Sequence, residues 1–231
     1  MTSSKKKGKG KAVRKVVKKA VKKVRIAKKA VAKISKKAIK ISKKAVKPVK
    51  KAVKPAILPT GVANLLITFD PNHAGSAQTE VVAVCDRVGI KPQFLKSDVE
   101  GLFKIKAADA KKLVKQLREL CYGEPELFSA TFHYVPIEKW CSSKLEDMKK
   151  VVKTFVPGIG AQERWKMQLN KRHFEGESTE IILKLTEVVE RSNVDLTSPE
   201  KIIQVEIIGN QAGVSLLKPD EYLNVPKMKQ Q

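Results

Sequence analysis

From Val62 onward the apolar positions switch between two spacings, about 2 residues for strands and about 3.6 for helices, and the switches divide the chain into elements. "VANLLITFDP" is an apolar run ended by Asp70 and Pro71, which predicts a buried strand. In "SAQTEVVAVCDRVG", Val81, Val84, Cys85 and Val88 recur at helical spacing, with Ser76 placed to cap the start and Gly89 the end. "QFLKSDVEGLFKIKA" predicts two short strands about a turn at Asp98–Gly101, with Phe103 and Ile105 alternating with Lys104 and Lys106. "AADAKKLVKQLRELCYG" puts Leu113, Val114, Leu117, Leu120 and Cys121 on one helical face and closes at Gly123. "SATFHYVPI" alternates again, Phe132 and Tyr134 against Thr131, His133 and Val135.

A second set of elements follows. "SSKLEDMKKVVKTFV" opens with Ser143-x-x-Glu146, a capping box, and places Leu145, Met148, Val151, Val152 and Phe155 on one helical face; Pro157, Gly158 and Gly160 end it. In "ERWKMQLNKRHFEGES", Trp165, Met167 and Leu169 alternate with Arg164, Lys166, Gln168, Asn170 and Arg172, which predicts a strand with one apolar and one cationic face. That cationic face is either a solvated strand side or a donor array for phosphates and 2'-hydroxyls. "STEIILKLTEVVERS" is a helix burying Ile181, Ile182, Leu185, Val188 and Val189, and "NVDLTSPEKIIQVEIIG" and "QAGVSLLKP" give two strands about a turn at Gly209–Gly213. Glu180, Glu187, Glu190 and Glu206 read as surface acids rather than paired catalytic carboxylates.

The fold class expected is α+β. The first set of elements runs β-α-β-β-α-β, the order of a split βαβ, ferredoxin-like module with two helices on one face of an antiparallel sheet. It lacks the strand-borne aromatics of an RNA recognition motif, so Phe103, Phe132 and Tyr134 are expected in the core.

Charge changes the picture at the other end. Residues 1–56 hold 24 of the 48 Lys and Arg and no acid, since the first acid is Asp70; the remainder has 24 basic residues against 23 acids. Such asymmetry points to a polyanionic partner. Within the tail Val13, Val17, Val21, Val24, Ala27, Val31 and Ile34 advance at close to helical spacing, but lysines repel at i,i+4. The expectation is a tail disordered alone and helical on a polyanion, with Lys18, Lys19, Lys22, Lys23, Arg25, Lys28 and Lys29 as accessory contacts. Pro48, Pro55 and Pro59 mark the linker. The domains expected are the tail and linker at 1–60, the ferredoxin-like domain at 61–140, a second domain at 141–226 and a short tail at 227–231.

Several functions find no support in the motifs. No run reaches the roughly 18 apolar residues of a membrane span, and the N-terminus lacks the apolar segment of a secretory signal, so no membrane partner is expected. Cys85, Cys121 and Cys141 are odd in number and far apart, which suits buried thiols in a reducing compartment, and His73, His133 and His173 stand apart, so no metal is expected. No cofactor is expected either: there is no GxxxxGK[ST], no GxGxxG after a strand and no acetyl-CoA loop of the form Arg/Gln-x-x-Gly-x-Gly/Ala, and "PGIGAQ" reads as a helix stop.

"RWKMQLNKRH", "ESTEIILKLTEVV", "VDLTSPEKIIQVEII" and "AGVSLL" together resemble a THUMP domain, the RNA-binding module of several tRNA-modifying proteins. The strongest part is Val194-Asp195-Leu196-x-x-Pro199 followed by a Val-Glu-Ile strand. With the ferredoxin-like module before it, the chain resembles the stand-alone THUMP proteins related to the tRNA acetyltransferase adaptor, although the long basic tail is outside that pattern. The resemblance implies a non-catalytic component that binds the acceptor end of tRNA and presents it to a separate RNA acetyltransferase for N4-acetylcytidine formation. It implies RNA contacts at Arg164, Lys166, Lys171, Arg172 and Lys201, with Asp195 and Pro199 as turn and cap residues. No methyltransferase or thiolation domain is expected after Gln231, and the location expected is cytoplasmic, or nuclear or nucleolar in a eukaryote. The alternative is a histone-like protein that binds nucleic acid without sequence preference through its tail.

Overall fold

The computed structural model describes residues 62–230, so the expectations for the basic tail lie outside the described residues. Two sheets carry the architecture. The first has the order β2-β3-β1-β4-β9, built from β1 (Leu65–Phe69), β2 (Gln93–Leu95), β3 (Leu102–Lys106), β4 (Thr131–Pro136) and β9 (Leu223–Asn224). Helices α1 (Ala74–Arg87) and α2 (Ala110–Gly123) cross over between β1 and β2 and between β3 and β4. The second has the order β5-β8-β7-β6, built from β5 (Lys139–Ser142), β6 (Trp165–Arg172), β7 (Lys201–Ile208) and β8 (Gln211–Leu217). There α3 (Leu145–Lys153) links β5 to β6, and α4 (Ser178–Thr186) links β6 to β7, the one parallel pair among these strands. A parallel pair needs such a crossover.

β1 is buried at every position because both its faces are covered. Leu65 and Ile67 join Val81, Val84, Leu113 and Leu117 of the two helices, whereas Leu66 turns the other way and joins Leu102, Val135, Ile137 and Ile208. Ile208 belongs to β7, so the helix-free face of the first sheet packs on the second module. The junction is also hydrogen-bonded: Trp140 Nε1 donates to Ala63 O at 2.6 Å, Ser215 Oγ donates to Pro136 O at 2.8 Å, and Lys111 Nζ pairs with Glu138 at 2.9 Å. After the second module the chain returns through β9, which pairs with β4, and ends in the short helix α5 (Val225–Met228). Sheet membership therefore crosses the boundary expected at 140/141, since β5 belongs to the second sheet and β9 to the first.

Five local expectations are corrected. Asp70 accepts from Asn72 N at 2.9 Å and opens a 3-10 turn at Pro71–His73, so α1 begins at Ala74 and Ser76 lies inside it rather than capping it. The capping box at Ser143 and Glu146 does not form: Ser143 N is held by Asn210 O at 3.0 Å, and α3 starts from Lys144 without a side-chain cap. The alternation in β4 breaks at a bulge, with Thr68 opposite His133 but Phe69 opposite Thr131, which leaves Phe132 as the extra, exposed residue while Tyr134 is buried. The turn spans only Gly209 and Asn210, with Gly209 at φ +58°, because Ile208 already pairs with Gln211; Gly213 sits within β8. Glu206 is not a surface acid but is 3% exposed, since its face of the second sheet meets the first module.

Candidate nucleic-acid interface

β6 is the edge of the second sheet, and its two faces have different fates. Trp165, Met167 and Leu169 face α3 and α4 and fill the core of that module. Lys166, Gln168, Asn170 and Arg172 face the other way, opposite Ile202, Gln204, Glu206 and Ile208 of β7. All four are partly buried, but the Arg172 end is closed by internal contacts and the Lys166 end opens on a cleft.

At the closed end the donors are used internally. Asn170 Nδ2 donates to Glu206 Oε1 at 2.6 Å, and Gln204 Nε2 donates to the same oxygen at 2.7 Å. Burial raises the Glu206 carboxyl above its ordinary value, against the pull of these two amides and of the nearby Arg172 charge. Arg172 is half-buried, and its Nε is enclosed without a hydrogen-bond partner, as is Gln204 Oε1. His133 of β4 faces this network, bonded to Thr68 Oγ1 at 3.1 Å and stacked on Tyr222; burial, and then the Arg172 charge, lower its pKa.

At the open end β6 meets the returning C-terminal segment, and a cleft of about 270 Å³ lies between them. Its lining includes the cations Arg118 of α2, Lys166 of β6 and Lys227 of α5 and, among the described residues, no carboxylate. Polar groups stand among them: Gln168, whose Nε2 donates to Tyr222 Oη at 3.4 Å, together with Thr197, Ser198 and Asn224. The 197–198 wall is fixed by Asp195, whose Oδ1 accepts from Thr197 N at 2.8 Å and Ser198 N at 2.9 Å. Those two amides, and then the Arg164 guanidinium, hold the Asp195 carboxyl below its ordinary value. Arg118 is steadied by donating Nη1 to Tyr222 O at 3.3 Å. Three cations with no counter-acid in the lining among the described residues, set among hydroxyls and amides, suit phosphate and sugar oxygens.

The five residues expected to contact RNA do not converge. Lys166 lines the cleft. Arg164 is exposed but engaged with Asp195 at 3.4 Å and Glu200 at 3.5 Å, and it lowers the Glu200 pKa chiefly through its backbone N–H. Arg172 is enclosed at the module junction. Lys171 lies on the opposite face of β6 and donates to Gly176 O, and Lys201, opposite Trp165, approaches Glu163 at 3.9 Å. Arg118 and Lys227 escaped sequence reading because they lie far from β6 in the chain. One signal was present: Lys111, Lys115, Arg118 and Tyr122 recur at i, i+4, i+7 and i+11, a polar stripe along α2.

Residues 143–217 match the family model of the THUMP domain. The chain contains a THUMP domain. The THUMP segment thus runs from the start of α3 to the end of β8, and it supplies β6 and the 197–199 wall of the cleft. The solution structure of the THUMP domain of THUMP domain-containing protein 1 is 32% identical, covering 34% of this chain and 90% of that one, with a TM-score of 0.28. A Pyrococcus horikoshii protein of known crystal structure is 12% identical, covering 68% of this chain and 55% of that one, with a TM-score of 0.47. A 4-thiouridine synthetase solved with RNA and bound ATP is 15% identical, covering 71% of this chain and 42% of that one, with a TM-score of 0.43. The chain spans about half the length of these last two proteins. No curated protein matches it. Among the described residues no group of three His, Cys, Asp or Glu could hold a metal ion, and no helix is long and apolar enough to cross a membrane.

Proposed function

We propose that the chain is a tRNA-binding adaptor that holds tRNA through its THUMP module and presents it to a separate acetyltransferase for N4-acetylcytidine formation. The observation that carries the RNA half of this reading is the cleft at the open end of β6, lined by Arg118, Lys166 and Lys227 and, among the described residues, by no acid. THUMP domains are associated with RNA binding in tRNA-modifying enzymes, and this cleft is formed jointly by the THUMP strands and the segment that follows them. The ferredoxin-like reading of the first module is supported by its β2-β3-β1-β4 order, with one helix after β1 and another after β3. In this mechanism the cleft fixes the register of the RNA backbone, the tail adds affinity by counterion release, and the protein raises the local tRNA concentration beside its partner enzyme.

Binding of labelled tRNA tests the first half. Arg118→Ala, Lys166→Ala and Lys227→Ala should each weaken affinity and together lower the slope of log K against log salt by about 3 units, roughly one for each phosphate no longer neutralised. Lys171→Ala should leave both unchanged. A triple variant that binds tRNA like the parent, and duplex DNA equally well, would favour the tail-driven, histone-like reading instead. Reconstitution tests the second half: the chain with tRNA and acetyl-CoA should yield no acetylcytidine until the partner enzyme is added. Modification by the chain alone would make it an enzyme.

A further inference from the structure

A second cavity lies away from the RNA cleft. It encloses about 580 Å³ at the edge of the first sheet and is walled by Phe69, Phe94 and Phe103, with Ala74 and Gln78 of α1 on one side and Val99 to Gly101 of the β2–β3 turn on the other. The aromatic wall is fixed. Phe69 and Phe103 stack at 4.0 Å, Phe94 meets Phe103 edge-on at 5.3 Å, and Phe69 N donates to Gly101 O at 3.0 Å. Gly101, at φ +68°, lies so near that a Cβ there would stand 2.9 Å from Phe69 O.

Beside this pocket runs the outer edge of β2. β2 pairs with β3 and with no other strand among the described residues, so its other side presents unpaired backbone groups. Register decides what a further strand would meet there. Phe94 stands opposite Ile105, on the face that carries the pocket, whereas Gln93 and Leu95 stand opposite Lys106 and Lys104 on the other face. A strand laid along β2 would therefore send alternate side chains onto the phenylalanines and the others toward lysines. Lys91 and Lys96 flank the same edge, so residues 91–106 carry four lysines against Asp98 and Glu100.

We propose that the β2 edge and its aromatic pocket dock an extended segment of another protein in which apolar and acidic residues alternate. The apolar residues enter the phenylalanine pocket, the acidic ones meet Lys104, Lys106, Lys91 and Lys96, and backbone hydrogen bonds to β2 set the register. Charge excludes this chain's own N-terminal tail as occupant, since its 24 cations and absence of acid are repelled by the same lysines. RNA is disfavoured because Phe69 and Phe103 stack on each other, Phe94 meets Phe103 edge-on, and Glu100 in the lining repels phosphate. The proposal goes beyond the RNA reading and stands without it.

The test uses the full chain and a fluorescein-labelled peptide, Glu-Phe-Glu-Leu-Glu-Val-Glu-Phe, beside a block isomer of the same composition with its four glutamates first. The basic tail senses only charge and binds the two alike, whereas the β2 edge should bind the alternating peptide about tenfold more tightly. Phe94→Ala should abolish that preference. Should Phe94→Ala lower the melting temperature, Lys96→Glu, at an exposed position, tests the same edge by reducing the preference severalfold. Neither change should alter tRNA affinity, so failure here is separable from failure of the RNA reading. Equal binding of the two peptides, a preference unmoved by both variants, or displacement of the alternating peptide by a single-stranded RNA oligomer would each overturn the proposal.

Discussion

At the residue scale, two buried acids show how one side-chain type serves opposite ends. Glu80 of α1 is 8% exposed and accepts from Ser129 N at 2.7 Å, Ala130 N at 2.6 Å, Thr131 N at 3.1 Å and Thr131 Oγ1 at 2.5 Å. It closes the approach to β4 by satisfying three consecutive backbone donors. Glu80→Ala would leave them unpaired and should cost about 2–3 kcal/mol in urea unfolding. Glu206 has only two side-chain amides on one oxygen, and burial raises its pKa. Because its folded pKa lies above its unfolded one, its contribution to stability is fully present below the ordinary value of about 4.5 and is lost as pH rises through the raised folded value. Glu206→Gln should therefore remove that loss, and unfolding midpoints of parent and variant compared from pH 4 upward should diverge in the variant's favour. The alternation of "KIIQVEII" located residue 206 on the polar face, but polarity along one strand cannot say whether that face meets water or another sheet.

At the element scale, every strand and helix expected between Val62 and Leu217 is present, because each rests on a run of apolar residues whose spacing is a local property. What failed were the ends and the irregularities. Ser76 and Ser143 carry good capping chemistry, yet Asp70 and Asn210 reach the relevant backbone groups first. The bulge that exposes Phe132 depends on the register of β1 against β4, which a single strand does not encode. Gly213 shows the same dependence on a neighbour. A Cβ at this position would stand 2.8 Å from Ile137 Cγ2, so Gly213→Ala should destabilise the fold by about 1–3 kcal/mol. Ile137→Ala removes the clashing γ and δ carbons, so the double variant should cost less than the sum of the two single changes, and denaturant midpoints of the two singles and the double would measure the coupling.

At the scale of the whole molecule, the packing of one module on the other decides which cations are free. The donor face of β6 is uniform in sequence, but Asn170 is bonded to Glu206 and Arg172 Nε is buried, whereas Lys166 lines a cleft completed by Arg118 and Lys227. Arg172→Ala should therefore act mainly on stability, through the enclosed network, and less on tRNA affinity than Lys166→Ala; melting and binding measured on both variants would separate the effects. By itself the sequence determined the elements, the division between a basic tail and a nearly neutral body, and the THUMP segment, since all three are written in local order and composition. Only the tertiary structure decided which polar residues are buried, where β9 returns, and which distant cations share a cleft. Those outcomes depend on contacts between residues such as Arg118, Lys166 and Lys227, which the chain separates widely and folding alone brings together.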